Sequence, residues 1–322
     1  MEYRNVGRTG LAVSDLGLGT MTWGRDTDEM EAADQLAAFL DQGGTLVDTA
    51  GSYGDGEAEA LLGSLTASGA FANRRDLVIC TKSGVASRGG EPVPDASRGN
   101  LLASLDDSLT RLGTSYVDLW LVQGPDPATP LEETASALRS AVASGRARYA
   151  GLSNCPAWMA ARFWHLLQPD PSLAALEMEY SLLERGVERE VLPAAAALGC
   201  GLLAWSPLGR GVLTGKYRHS VPAYSRAASP HLSGFVQPYL NSAAAAVVEA
   251  VATAAEGLGR APADVALAWV RSRPGVACAI LGARTGAQLR TILAGAGHDL
   301  PGEIASALDE ISAPALGYPE RL

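Results

Sequence analysis

The strongest constraint on the fold is a repeated alternation of short apolar runs with longer helical stretches. Apolar strand cores fall at Leu16–Thr20, Thr45–Thr49, Leu77–Thr81, Val117–Val122, Arg148–Leu152, Leu173–Glu177, Gly201–Ala204 and Ala277–Leu281. Helical periodicity lies between most of them, at Asp28–Gln42, Gly56–Leu65, Ser97–Leu112, Leu131–Ser144, Pro156–Leu167 and Val187–Leu198, with a further helix at Ser242–Leu258 before the last strand. The strand runs are mostly apolar throughout, as parallel strands covered by helices require. Ser97 is a good N-cap. Gly43, Gly113, Gly145 and Gly199 each follow a helix where a left-handed residue is wanted. Eight such units in 322 residues predict an α/β fold, a (β/α)8 TIM-type barrel. A doubly wound open sheet is the alternative. Against it, no strand is followed by Gly-x-Gly-x-x-Gly: Leu16-Gly17-Leu18-Gly19-Thr20 lacks the third glycine and the helix start.

Two features fall outside the eight units. Tyr3–Val6 and Leu11–Val13, around Gly7-Arg8-Thr9-Gly10, read as an N-terminal hairpin able to close the bottom of a barrel. Gly215–Pro238 reads as a long loop after the seventh strand, over the top. No linker is visible, so residues 1–322 are expected to form one domain. No window approaches the ~18 consecutive apolar residues of a membrane span. The Met1-Glu2-Tyr3-Arg4 start lacks the apolar core of a signal peptide, so a cytoplasmic location is expected. The formal net charge of −10 argues against a nucleic-acid partner, which needs a basic field. Cys80, Cys155, Cys200 and Cys278 form no Cys-x-x-Cys pair, and the histidines show no ligand spacing, so no metal site is expected. Only two lysines occur, Lys82 and Lys216. Arginine cannot replace lysine where a compact, titratable ammonium is needed.

In a barrel of this type the active site lies at the C-terminal ends of the strands. Polar residues collect there: Asp48, Lys82, Gln123, Ser153-Asn154 and Glu177, with Tyr53 just beyond Asp48. A ring of polar residues on successive strand ends is hard to explain by packing. A tyrosine hydroxyl is a poor acid near neutrality, an adjacent ammonium favours its phenolate, and a carboxylate holds the ammonium in place. Tyr53 as acid, Lys82 as tuner and Asp48 as anchor fit that scheme. The alternative from spacing alone is a buried Asp–Lys pair beside a loop tyrosine.

The segment Val47-Asp48-Thr49-Ala50-Gly51-Ser52-Tyr53-Gly54 with Gly56-Glu57 resembles the D-T-A-x-x-Y-G-x-G-x-x-E element of the aldo-keto reductases. Gly7-Arg8-Thr9-Gly10-Leu11, Leu18-Gly19-Thr20-Met21, Thr81-Lys82, Ser108-Leu109-x-Arg111-Leu112-Gly113 and Gly151-Leu152-Ser153-Asn154 are similar as well. So are Glu179-Tyr180-Ser181-Leu182-Leu183-x-Arg185, Ser206-Pro207-Leu208-Gly209-Arg210-Gly211 and Leu281-Gly282-Ala283-Arg284. The resemblance runs from the N-terminal hairpin to the last strand. It implies an NADPH-dependent oxidoreductase acting on a small-molecule substrate, with the cofactor extended across the barrel mouth. Asp48, Tyr53, Lys82 and Gln123 would be catalytic. Gly19, Thr20, Met21 and Asp48 would border the cofactor, and Ser153, Asn154 and Glu177 would meet the nicotinamide carboxamide. Trp205 would stack on the ring, Ser206–Gly211 would wrap the pyrophosphate, and Gly282, Arg284 and Gln288 would hold the adenosine end, with Arg284 on the 2′-phosphate. Trp23, Tyr53, Gln123 and residues of the Tyr217–Tyr239 loop, among them Tyr224, Phe235 and Tyr239, would line the substrate pocket. An oligomer is compatible with the resemblance.

Three positions depart from the family pattern. Glu177 stands where glutamine is common, so the amide of the cofactor is expected to supply the proton of that hydrogen bond. Thr291-Ile292 stands where Glu-Asn often meets adenine. Gln123 stands where histidine is usual; it can donate to a substrate oxygen but cannot titrate. Three readings follow: carbonyl reduction with Tyr53 alone as acid, hydride delivery to the β-carbon of an enone, or a weakly catalytic NADPH-binding sensor. The first is the expected activity.

Overall fold

The structure is a computed structural model that describes residues 1–67, 73–169, 172–223, 225–315 and 317–318. A hairpin of β1 (Tyr3–Asn5) and β2 (Ala12–Ser14) precedes the barrel. The chain then runs β3 (Leu16–Gly19), α1 (Glu29–Asp41), β4 (Leu46–Asp48), α2 (Glu57–Ala67) and β5 (Val78–Ser83). A second hairpin, β6 (Val85–Arg88) and β7 (Glu91–Pro94), leads to α3 (Arg98–Leu112), β8 (Val117–Val122), α4 (Leu131–Ala143), β9 (Ala147–Ser153) and α5 (Ala157–Leu167). Next come β10 (Leu173–Glu179), α6 (Val191–Leu198), β11 (Gly201–Trp205), α7 (Ser233–Val236), α8 (Ser242–Leu258) and α9 (Pro262–Arg271). The chain closes with β12 (Val276–Leu281), α10 (Gly286–Gly295) and α11 (Gly302–Ile311). Strands β3, β4, β5, β8, β9, β10, β11 and β12 form one closed parallel barrel, β12 pairing back onto β3. The fold is the (β/α)8 barrel, not the open sheet.

Strand parity places the site. Side chains alternate across a strand. Leu46, Cys80, Leu121, Ala175 and Leu203 point into the barrel and pack together with Cys278 and Ile280. Two residues further along the same faces come Asp48, Lys82, Gln123, Glu177 and Trp205, the top layer of the interior. The outward residues, such as Val47, Ile79, Trp120 and Leu202, join the larger core beneath the helices.

The hairpin plugs the opposite end. Val6, Leu11 and Val13 belong to the same inner cluster, and Arg8 N–H donates to Gly199 O at 2.8 Å. A Cβ on Gly7 would lie 2.3 Å from Gly199 O, so the turn can press onto the start of β11 only as glycine. The four glycines after helices adopt left-handed φ, 79° at Gly43, 63° at Gly113, 76° at Gly145 and 78° at Gly199. Ser97 caps α3 by accepting from Asn100 N–H.

Several elements differ from the sequence expectation. Helix α6 starts at Val191 rather than Val187, because Gly186–Glu188 forms a separate turn. The Gly215–Pro238 stretch contains the short helix α7 and single helical turns rather than pure loop. The expectations placed no element at β6–β7 or at α9, α10 and α11. In α9 every residue from Ala263 to Arg271 except Asp264 is buried, with Asp264 and Arg271 seven residues apart on one face. Strands β6 and β7 flank Gly89-Gly90 and contain Pro92 and Pro94, which argue against strand from sequence. No helix among the described residues is long and apolar enough to cross a membrane.

Candidate active site

The top layer surrounds a cavity of about 580 Å³, within the range of ligand pockets. At its floor the buried ammonium of Lys82 donates to Asp48 Oδ1 at 2.6 Å, to Thr49 O at 3.0 Å and to the Tyr53 hydroxyl at 3.4 Å. Glu177 Oε1 lies 3.4 Å from the same nitrogen. The carboxyl oxygens of Asp48 and Glu177 and the Cys80 sulfur lie within 4.8 Å of one another. Burial alone would favour the neutral amine, but Asp48 and then Glu177 outweigh it and hold Lys82 well above the ordinary value. Burial also raises Glu177, aided by Asp48 and opposed by Lys82, to about 8.

Tyr53 overturns one expectation. Burial pushes its phenol above the ordinary value despite the opposing Lys82 ammonium. Burial is the dominant cause; Lys82 opposes it, and Asp48 and then Glu177 add smaller upward contributions. In this arrangement Lys82 limits the rise rather than producing an acidic phenol.

The turn carrying Tyr53 is built from below. Tyr53–Gly56 is one helical turn in which Gly54, Asp55 and Gly56 have positive φ. Arg111 on α3 packs under Gly56, where a Cβ would sit 2.8 Å from its Cδ. Arg111 also donates to Glu59 Oε2 at 2.8 Å, and Thr81 donates to Glu59 Oε1 at 2.5 Å. That chain ties the turn to β5, the strand that carries Lys82.

Gln123 sits at the cavity wall with its amide fixed at one end. Ser52 Oγ donates to Gln123 Oε1 at 3.0 Å, so the amide N–H2 is the group left to donate elsewhere. Asn154 Nδ2 donates to Gln123 O and to Ser153 Oγ, both at 3.0 Å, and Trp205 Nε1 donates to Asn154 Oδ1 at 3.0 Å. Ser153 Oγ in turn donates to Glu177 O at 3.1 Å. Among the described residues, the non-glycine residues with left-handed backbone are Asp55, Asn154, Ser206 and Arg210. The last three line the cavity, a placement common for strained residues at functional sites.

The cavity wall brings together most of the residues singled out in the sequence: Gly19, Met21, Asp48, Tyr53, Lys82, Gln123, Ser153, Asn154 and Glu177, then Trp205, Ser206, Pro207, Leu208, Arg210, Gly211, Gly282, Arg284 and Gln288. Phe235 from the long loop joins them and stacks near Trp205, ring centroids 6.3 Å apart. Arg210 donates to both Glu179 carboxylate oxygens and to Phe235 O. Its guanidinium therefore fastens α7 to the end of β10, while its backbone borders the cavity.

Five residues lie elsewhere. Trp23 is fully buried and does not line the cavity. The turn closed by Gly24 N–H to Thr27 O swings its indole toward α1, where Nε1 donates to Gln35 Oε1 at 3.0 Å. Thr20 is buried with its hydroxyl donated to Asp48 O. Gly209 packs against Leu183. Tyr217 and Tyr239 border a separate, smaller cavity, and Tyr224 lies outside the described residues.

The sequence reading passed over Lys216 and Arg226. Both line the cavity near Arg284, and Arg226 approaches within 3.2 Å of where a Gly282 Cβ would be. Burial first, then Arg226 and Arg284, lowers Lys216 to about 8. The signal available was the rarity of lysine: Lys216 is the second of the two. Ile280, Leu281, Ala263, Thr291 and Ile292 add apolar wall at the same end.

Fold and site together define a (β/α)8 enzyme with an acid–base cluster at the strand ends and a cationic outer end. The profile of the aldo/keto reductase family matches residues 15–313. The chain is 35% identical over 333 residues to "Uncharacterized oxidoreductase YrpG" of Bacillus subtilis, covering 97% of this chain and 96% of that one. It is 32% identical over 302 residues to "Aldo-keto reductase YhdN" of the same organism, covering 91% and 88%. It is 36% identical over 290 residues to a "Probable voltage-gated potassium channel subunit beta" of Oryza sativa subsp. japonica, covering 88% and 87%. The chain belongs to the aldo/keto reductase family and is an NAD(P)-dependent oxidoreductase acting on small molecules.

Proposed function

We propose that the protein reduces a carbonyl group on a small organic molecule, with NADPH as reductant and Tyr53 as proton donor. The observation that carries this reading is the Lys82 ammonium, which reaches the Tyr53 hydroxyl and is held by buried carboxyls at the cavity floor. When bound, the nicotinamide supplies hydride. Tyr53 gives its proton to the oxygen that becomes negative, and Lys82 stabilises the phenolate left behind. Asp48 fixes the ammonium. The Gln123 amide, its oxygen occupied by Ser52, donates to the substrate oxygen and orients it. The apolar wall near Phe235 and the barrel mouth keep water from competing.

NADPH rather than NADH is favoured by Lys216, Arg226 and Arg284, none of which forms a salt bridge to a described carboxylate. Three cations gathered with no carboxylate in salt-bridge contact suit a phosphate, Asp26 acting on Arg226 only from a distance. Arg226→Leu is expected to weaken NADPH binding by about 10- to 100-fold, the worth of a charge-assisted hydrogen bond, and to leave NADH binding nearly unchanged. Nucleotide fluorescence titration checks this. Equal losses for the two nucleotides would remove the phosphate assignment.

A panel of ketones, aldehydes and conjugated enones, read by nicotinamide absorbance and product mass, tests the reaction class. Alcohol products support the reading; saturated ketones from enones would replace it with C=C reduction, and tight binding with no turnover would replace it with a sensor. Gln123→His is expected to raise the rate with simple aldehydes, because an imidazole adds a second titratable donor at the wall. A fall in kcat/KM across the panel would mean that the Ser52-fixed amide is matched to a particular substrate.

A further inference from the structure

Glu177 presents a charge problem that Asp48 does not. Both carboxyls are buried, at 2% exposure each, beside one buried ammonium. Asp48 takes the short contact at 2.6 Å, with Glu177 at 3.4 Å. The second oxygen of Glu177, Oε2, is buried without a hydrogen-bond partner, and Glu177 lines the cavity. An ionised carboxylate so placed has neither solvent nor a cation of its own, and such groups take up a proton instead.

The titratable groups facing it come from three strands and a turn: Asp48 on β4, Tyr53 on the following turn, Cys80 and Lys82 on β5, and Cys278 on β12. Of these only Lys82 is cationic, and Asp48 already neutralises it. From β9, Ser153 spends its hydroxyl on the Glu177 backbone carbonyl rather than on the carboxyl. An unpartnered oxygen on a cavity-lining carboxyl, next to the Asp48 carboxyl that also favours its protonated form, fits a neutral acid.

We infer that Glu177 works as the un-ionised carboxylic acid and donates a hydrogen bond to the amide head of the cofactor, so that cofactor binding is gated by pH. The inference rests on the nicotinamide reading above. It reverses the expectation that the cofactor must supply the proton of this contact. Glutamate here acts as glutamine would, but only while it keeps its proton. Since its proton is held to about 8, the donor is present at neutral pH and lost above that value.

Two measurements test this. The first is infrared difference spectroscopy of the ligand-free protein at about pH 6.5 and about pH 9.5, either side of the transition. A protonated-carboxyl stretch is expected at the lower pH, absent at the higher pH and absent in Glu177→Gln. A band that persists in Glu177→Gln would put the proton on Asp48 and overturn the assignment.

The second is NADPH affinity against pH by fluorescence. Lys216 also titrates near this range, so the series is run in a Lys216→Arg background, where the phosphate end keeps its charge. Affinity is expected to fall about tenfold per pH unit above the transition. With Glu177→Gln added, which carries the donor permanently, affinity should stay level across the range. A level profile without that second change, or the same fall with it, contradicts the proposal. If NADPH binds no variant at any pH, the cofactor reading itself fails and the donor role goes with it. The infrared arm still reports separately whether Glu177 holds a proton.

Discussion

Tyr53→Phe should reduce carbonyl turnover by about 10²- to 10⁴-fold, the usual contribution of a positioned general acid, while NADPH still binds. The substitution removes one oxygen, whose hydrogen-bond partner is the Lys82 ammonium at 3.4 Å. The ring stays packed against the core beneath it, so the fold should be retained. Steady-state assays with the best carbonyl from the panel, paired with fluorescence titration, separate the two effects. Because the phenol is held above its ordinary value, Tyr53 stays protonated through neutral pH. It should contribute no alkaline limb near neutrality; a fall above about 8 belongs to Glu177 and Lys216, and the part that persists in a Lys216→Arg background to Glu177. Wild-type turnover retained in Tyr53→Phe would take the proton-donor role away from this residue.

Lys82→Met should damage both turnover and stability. It leaves Asp48 and Glu177 facing each other in a buried site without their cation. Removing one partner of a buried ion pair costs about 3–5 kcal/mol, and denaturant unfolding should show a loss of that order near neutral pH. The sign with pH follows from the carboxyls. Burial already holds Glu177 above its unfolded value, and removing the ammonium takes away the group that opposes that rise. Such groups contribute stability that is fully present below the unfolded carboxylate range and lost as pH rises through the folded values. The deficit should therefore be small near pH 4 and grow toward pH 8. Adding Glu177→Gln should recover part of it by removing one of the two acids. A pH-independent deficit would mean that lost packing, not uncompensated charge, is responsible.

The architecture could be read because two signals agreed along the whole chain. Apolar runs of strand length recur between helical periods, and glycines fall where helices end. The site could be read because strand parity carries it: Leu46 and Asp48, Cys80 and Lys82, Ala175 and Glu177 share faces, so the last inward residue of each of these three strands is ionisable. What sequence hid has physical reasons. Trp23 looked like pocket lining, but a short turn rotates it into the layer beneath α1. Lys216 and Arg226 meet Arg284 only through the path of the long loop, which no local pattern encodes. The state of Tyr53 and Glu177 depends first on burial; Lys82 does lower the phenol, as the pair suggests, but burial at the barrel floor, which the local sequence does not show, outweighs it.

The most direct test follows the hydrogen that the nicotinamide gives up. NADPH deuterated at the transferable position is mixed with the protein and a ketone substrate, and the product is analysed by mass spectrometry. Deuterium on the new carbinol carbon, with the hydroxyl proton drawn from solvent, is the expected result. Product without deuterium, or label on the β-carbon of an enone whose carbonyl survives, would contradict it.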